Sequence, residues 1–198
     1  MAGPDRLPLD LAEIMDRLYN PLVRQLRSMP KPVVCAVNGV AAGGGANIAL
    51  ACDIVLAARS ARFIQTFTKI GLIPDCGGTF FLPRLIGEAR ARALTLLAEP
   101  ISSQQAQNWG MIWRAVDDAD LIPQSEALAT RLAAQPTKTL GLVKQAFAKS
   151  SKNDLDAQLD FQRDLQRQAA QSPDFAEGVQ AFLEKRVPNF TGSLRSAR

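Results

Sequence analysis

Apolar residues recur along the chain at two spacings. Over residues 9–28, Leu11, Ile14, Met15, Leu18, Leu22 and Leu26 fall three and four apart. That pattern predicts one apolar face of a helix that covers a core and is interrupted or kinked at Pro21. Pro30 and Pro32 end it, and the unbroken run at residues 33–37 predicts a strand buried on both faces, turning at Asn38 and Gly39. Residues 46–52 predict a short buried helix, residues 54–57 a second buried strand and residues 62–65 a third. From Arg84 onward the spacing becomes helical over 85–97 and 103–109, with 111–116 as one more strand. Strands alternating with helices predict an α/β fold. Residues 120–134, 138–149, 154–170 and 174–186 then predict four amphipathic helices separated by Pro or Ser, so the tail is mostly α. No internal repeat, low-complexity tract or long linker divides the chain, which is expected to form a single domain over 1–198.

Composition narrows the chemistry. The 198 residues include no His. Triads built on imidazole and His-bearing metal sites are therefore excluded, and acid–base work falls mainly to the 19 carboxylates, because Tyr19 is the only tyrosine. The 23 Lys and Arg are scattered, so nucleic acid is not an expected partner. Cys35, Cys52 and Cys76 are odd in number and form no CxxC, as expected of reduced thiols in a cytoplasmic protein. No run approaches a membrane span, and residues 1–11 lack a signal pattern.

Two segments could carry chemistry. Residues 38–47 run from a strand through Gly43, Gly44 and Gly45 into a helix, a turn that exposes backbone N–H groups at a helix N-terminus. Such donors can hold an anion or a developing oxyanion, although a tight turn with no ligand has the same composition. Neither a phosphate loop nor GxGxxG fits. In residues 71–79, Asp75 heads a second Gly-containing turn into a helical segment. It is either an N-cap or a carboxylate base desolvated by Ile73, Pro74, Phe80 and Phe81.

The run Lys31-Pro32-Val33-Val34-Cys35-Ala36-Val37-Asn38-Gly39, the three glycines, Cys52-Asp53-Ile54 and Gly71-Leu72-Ile73-Pro74-Asp75-Cys76-Gly77-Gly78-Thr79 together resemble the enoyl-CoA hydratase/isomerase (crotonase) superfamily. Leu82-Pro83-Arg84, Trp109-Gly110-Met111-Ile112-Trp113 and Glu184-Lys185-Arg186 extend the resemblance over about residues 12–192. Within the superfamily it is most similar to the ring-epoxide isomerase branch of bacterial phenylacetate degradation. The resemblance implies a crotonase-like ββα spiral core over about 1–135 and a C-terminal helical oligomerisation region over about 136–198, assembled as a homotrimer or hexamer.

It also implies an acyl-CoA thioester substrate, with coenzyme A entering as part of the substrate and no separate cofactor or metal. The thioester enolate is held by two backbone N–H groups, and Gly44 supplies one. The two glutamates of superfamily hydratases fall on Asn47 and Phe67, neither of which can move a proton. Asp75 stands where isomerase branches place their catalytic acid, so the expected activity is proton relocation by one carboxylate. Asn47 then orients substrate or simply packs its helix. Phe67 is a pocket wall or core, Gly43 lets the ligand approach, and Lys185 meets the CoA phosphates or is a solvated lysine. Dehalogenation of an aryl-CoA, with Asp75 as nucleophile, is a lesser alternative, because Trp109 and Trp113 lie far downstream. The second oxyanion donor of the superfamily comes from an Ala-Gly-x-Asp-Leu loop ahead of where this chain starts. The expectation is therefore an N-terminally truncated core that binds CoA thioesters weakly and turns over slowly, or a silent binding or assembly protein.

Overall fold

The computed structural model describes residues 10–192. These residues form two compact units: one from the start through Leu26 together with Cys35–Leu121, the other from Arg27–Val34 together with the chain from Ile122 onward.

In the first unit, Asp10 caps helix α1 (Leu11–Ile14) through bonds from the N–H groups of Ala12 and Glu13. The helix does not break at Pro21. It widens into a π turn, Met15–Tyr19, in which the Asn20 N–H donates to Met15 O, and continues as α2 (Asn20–Ser28). A proline removes one donor and crowds the carbonyl four residues back, and the π turn accommodates both. The extra residue advances the protected face by one position. Ile14 and Met15 are half-buried before the turn, whereas Val23 and Leu26 are half-buried after it and Leu18 and Leu22 are exposed. The expected continuous face covering a core is therefore corrected.

Strands β1 (Val34–Val37), β3 (Ile54–Ala58) and β6 (Arg114–Val116) form one sheet in the order β1-β3-β6, and β2 (Val40–Ala42), β4 (Arg62–Ile64) and β5 (Ile101–Ser102) form another in the order β2-β4-β5. The chain winds as a ββα spiral: β1, β2 and helix α3 (Gly44–Ala51) make one turn, and β3, β4 and α4 (Gly78–Leu97) make the next. Then β5, α5 (Ser103–Asn108) and β6 follow. β2 runs parallel to β4 with Ala41 opposite Phe63, β3 parallel to β6 with Ala57 opposite Ala115, and β4 antiparallel to β5. Ala46, Ala51, Ala57 and Ala61 are fully buried. Their small side chains let α3 approach the strands closely, and Leu56, Phe63 and Leu82 fill the remaining core.

Several elements differ from expectation. β1 lies at the end of its sheet among the described residues, so only Val37 is buried and the strand is not covered on both faces. β2 and β5 were not predicted, being three and two residues long, and α4 begins at Gly78, ahead of Arg84. α4 also contains Gly87 at φ 77°, which divides it into two helical halves. β6 starts only at Arg114, because Gly110 (φ 77°) closes α5 and the Met111 N–H returns to Ala106 O.

The second unit holds α6 (Leu121–Ala133), α7 (Thr137–Ser150), α8 (Leu155–Ala170) and α9 (Pro173–Glu184), as the periodicity predicted. Asp154 caps α8 through Ala157 N–H, and Ser172 caps α9 through Phe175 N–H with Pro173 at the first position. Residues 189–192 are strapped onto α9. The buried Asp174 carboxylate accepts from the N–H groups of Thr191 (2.8 Å) and Gly192 (3.0 Å), and Glu177 accepts from Asn189 N–H (2.7 Å). Phe147 and Phe182 stand exposed on α7 and α9. No helix among the described residues is long and apolar enough to cross a membrane.

Candidate active site

The site is assembled where β2 delivers the chain into α3. Gly43 adopts φ 50° and ψ −123°, a conformation that side-chain-bearing residues rarely take. A Cβ there would also meet Thr66 Oγ1 at 3.0 Å and the Phe67 ring at 3.5 Å. The parallel register of Ala42 with Ile64 brings these neighbours alongside, and the Gly43 N–H donates to Ile64 O at 2.8 Å. The first bond inside α3 runs from Asn47 N–H to Gly43 O. The N–H groups of Gly44, Gly45 and Ala46 are thus left without an intrahelical acceptor, at the positive end of the helix dipole.

Asp75 reaches this turn from the loop before α4. Gly78 N–H donates to Asp75 O at 2.8 Å across Cys76 (φ 49°) and Gly77 (φ 83°), the φ signature of a type I′ turn. Gly77 is the cap position of α4 and no side chain caps the helix, so Asp75 is not an N-cap. Its carboxylate instead lies at Gly44: a Cβ on Gly44 would sit 3.2 Å from Asp75 Oδ1 and 3.4 Å from Cys76 Sγ. Asp75 Oδ1 is buried and receives no hydrogen bond among the described residues. A buried acceptor left unpaired costs about 1–3 kcal/mol. Burial, then a hydrogen bond with Asp75 and the charge of that carboxylate, push the Cys76 thiol up to about 12, which favours its protonated form at neutral pH.

Of the residues singled out from sequence, Gly43, Gly44, Asn47, Phe67 and Asp75 converge on this one turn. Phe67 is buried and packs its ring against Gly43, on a 3-10 turn (Phe67–Ile70) that periodicity did not predict. Asn47 is wholly buried, and both ends of its amide are spent inside the protein. Its Nδ2 donates to Asp75 O at 2.9 Å and its Oδ1 accepts from Gln65 Nε2 at 2.9 Å. In this geometry it braces the Asp75 turn. Gln65 was missed from sequence; the available signal was one polar residue ending an apolar strand. Lys185 belongs to the second unit, where it is exposed and ends α9 in the left-handed conformation at φ 56°. Trp109 and Trp113 lie beneath the guanidinium groups of Arg90 and Arg114.

A cavity of about 430 Å³ begins at Gly78 and Thr79, directly after the Asp75 turn, and is walled by Leu82, Pro83, Ala91 and Leu96. Together, a carboxylate with an unused oxygen and N–H donors free at a helix N-terminus can move a proton and hold the negative charge this creates on an oxygen. Among the described residues no group of His, Cys, Asp or Glu could hold a metal ion.

The family model for enoyl-CoA hydratase/isomerase matches residues 8–193, and the chain belongs to that family. It is 58% identical over 183 residues to the 1,2-epoxyphenylacetyl-CoA isomerase of Escherichia coli, covering 92% of this chain and 70% of that protein. It is 50% identical over 184 residues to a probable enoyl-CoA hydratase of Rhodobacter capsulatus, covering 93% and 72%. The crystal structure of an enoyl-CoA hydratase from Bacillus anthracis superposes with a TM-score of 0.90 at 32% identity, covering 95% of this chain and 73% of that one. The fold is therefore the crotonase fold: a ββα spiral followed by a helical region.

Proposed function

We propose that this chain is an isomerase of acyl-CoA thioesters. The observation that carries the proposal is the unpaired, buried Asp75 Oδ1 set against the Gly44 turn, beside free helix N–H groups. Asp75 takes a proton from the carbon α to the thioester carbonyl. The electron pair moves onto the carbonyl oxygen, which the Gly44 N–H stabilises, and the same carboxylic acid returns the proton to a different carbon. For a 3-enoyl thioester the balance is a shifted double bond with nothing added or lost; for a ring epoxide the same proton relocation would accompany cleavage of the bond between the two epoxide carbons, again with no atom gained or lost. Asn47 and Phe67 offer no second acid or base, which favours proton relocation over hydration, since adding water needs one group to activate it and another to protonate carbon. Phe67 and Gly43 shape the approach to the turn. The aromatic epoxide thioester named for the Escherichia coli relative is the first candidate substrate, which would place the chain in phenylacetate breakdown. Coenzyme A arrives with the substrate, and the chemistry draws on no further cofactor.

The test is Asp75→Asn, assayed for turnover of 1,2-epoxyphenylacetyl-CoA and of a 3-enoyl-CoA, with calorimetry for binding. General acid–base catalysis contributes about 10²–10⁴ in rate, so kcat should fall by that factor while binding persists. Full turnover by this variant refutes the assignment. Binding without turnover by the unaltered chain would favour a silent thioester-binding protein.

A further inference from the structure

We infer that Gln65 is a positioning residue for Asp75, acting through the amide of Asn47. The inference rests on Asp75 being the proton shuttle. Gln65 follows β4 and is 2% exposed, and Asn47 on α3 is 0% exposed, so neither amide has water to turn to. Their polarity is dictated from one end. A backbone carbonyl can only accept, so Asn47 must present its NH2 to Asp75 O at 2.9 Å. Its Oδ1 therefore faces Gln65, which must present its own NH2, also at 2.9 Å. Asp75 O takes a second bond from Gly78 N–H.

The two amides thus fasten three pieces of backbone, the end of β4, α3 and the turn before α4, through the one peptide carbonyl that precedes Cys76. That turn needs fastening, since Cys76 holds φ 49° without being glycine. Gly78 is part of the same device, because a Cβ there would lie 2.7 Å from Asn47 Cγ and 2.8 Å from its Oδ1. Among the described residues nothing donates to Gln65 Oε1, so its bond to Asn47 is what orients the Gln65 amide. The carboxylate placed by this clamp lies at Gly44 with Oδ1 unpaired. The clamp holds the backbone of Asp75 and leaves its side chain free to react.

The experiment uses the full chain with Gln65→Met, which keeps length without a donor, and Gln65→Asn, which withdraws the amide by one methylene. Each is measured for kcat, KM and Tm, alone and combined with Asn47→Ala. A misplacement of the reacting group by about 1 Å costs about 10²-fold. A kcat loss of about 10- to 100-fold with KM within twofold is expected for both variants. Adding Gln65→Met to Asn47→Ala should cost little more in kcat, because the connection is already cut. A folded variant of either kind with kcat within twofold of the unaltered chain overturns the inference, as does a loss carried by KM alone or losses that multiply independently. Asp75→Asn separates the two levels. If it retains turnover, the Asp75 assignment has failed; if it loses turnover while the Gln65 variants keep theirs, only the clamp has failed.

Discussion

Replacing Gly44 by Ala should separate stability from activity. Gly44 is the first residue of α3 and needs no positive φ, so Ala is compatible with its backbone and helix formation gains about 0.5–1 kcal/mol. Against this, the new methyl would stand 3.2 Å from Asp75 Oδ1 and 3.4 Å from Cys76 Sγ. Both neighbours must give by a few tenths of an ångström, at the low end of the ~1–3 kcal/mol that overpacking costs. The net change is at most about 1–2 kcal/mol, which for a chain of this length corresponds to a Tm drop of no more than about 8 °C. The catalytic effect is much larger. On the proposed mechanism the methyl crowds the base, because it stands against the Asp75 carboxylate on the residue whose N–H is the proposed oxyanion donor. Displacing the base and weakening one oxyanion donor should lower kcat by about 10²-fold or more. The assay pairs thermal unfolding by circular dichroism with initial rates on the thioester. A folded variant with unchanged kcat would refute the placement of the site, and a Tm loss of 15 °C or more would refute the packing estimate.

Other outcomes test the remaining parts. Gly78→Ala should lower Tm well beyond the Gly44 change, since its Cβ overlaps the wholly buried Asn47 amide and severs the bonds that amide makes; a Tm within 2 °C would show that Asn47 has room to move. Glu177 is held down to about 2 by Arg186 and by Asn189 N–H. A carboxylate with a depressed folded pKa stabilises fully above its unfolded value of 4.5 and loses that contribution as pH falls toward 2, so the Tm difference between the unaltered chain and Glu177→Gln should shrink across that window. An unchanged difference down to pH 2.5 would contradict the pairing. Iodoacetamide at pH 7.5 should label Cys35, whose pKa is lowered by its hydrogen bond with Cys52, and spare Cys76, held protonated and 1% exposed; mass spectrometry showing Cys76 alkylated first would overturn this.

Local sequence marked the two turns that meet at the candidate site, and the family resemblance, more than local pattern, named the residues on them. Three consecutive glycines between a strand and a helix mark a turn that can present N–H donors, and the absence of histidine leaves carboxylates as the main proton carriers. The four tail helices were legible because their apolar spacing is continuous, and Asp154 and Ser172 cap the last two. Other features depend on neighbours remote in sequence. Whether Asp75 caps α4 or faces Gly44 is decided by a turn whose φ values cannot be read from Cys76 and Gly77 alone. The apolar face of α1 and α2 was misread because one π turn shifts the register of everything after it. β2 is three residues long and forms only because β4, about 20 residues later, lies parallel to it.

Asn47 shows the division most clearly. The family resemblance made it a candidate site residue and left open whether it touches substrate or packs its helix. Only the fold shows its amide locked between Gln65 and Asp75 O, because a buried amide must find its partners inside the protein and those partners are 18 and 28 residues away. The residue types available at the candidate site were thus set by sequence. Which of the candidate residues braces another was decided by tertiary structure, through the demand that buried polar groups be paired.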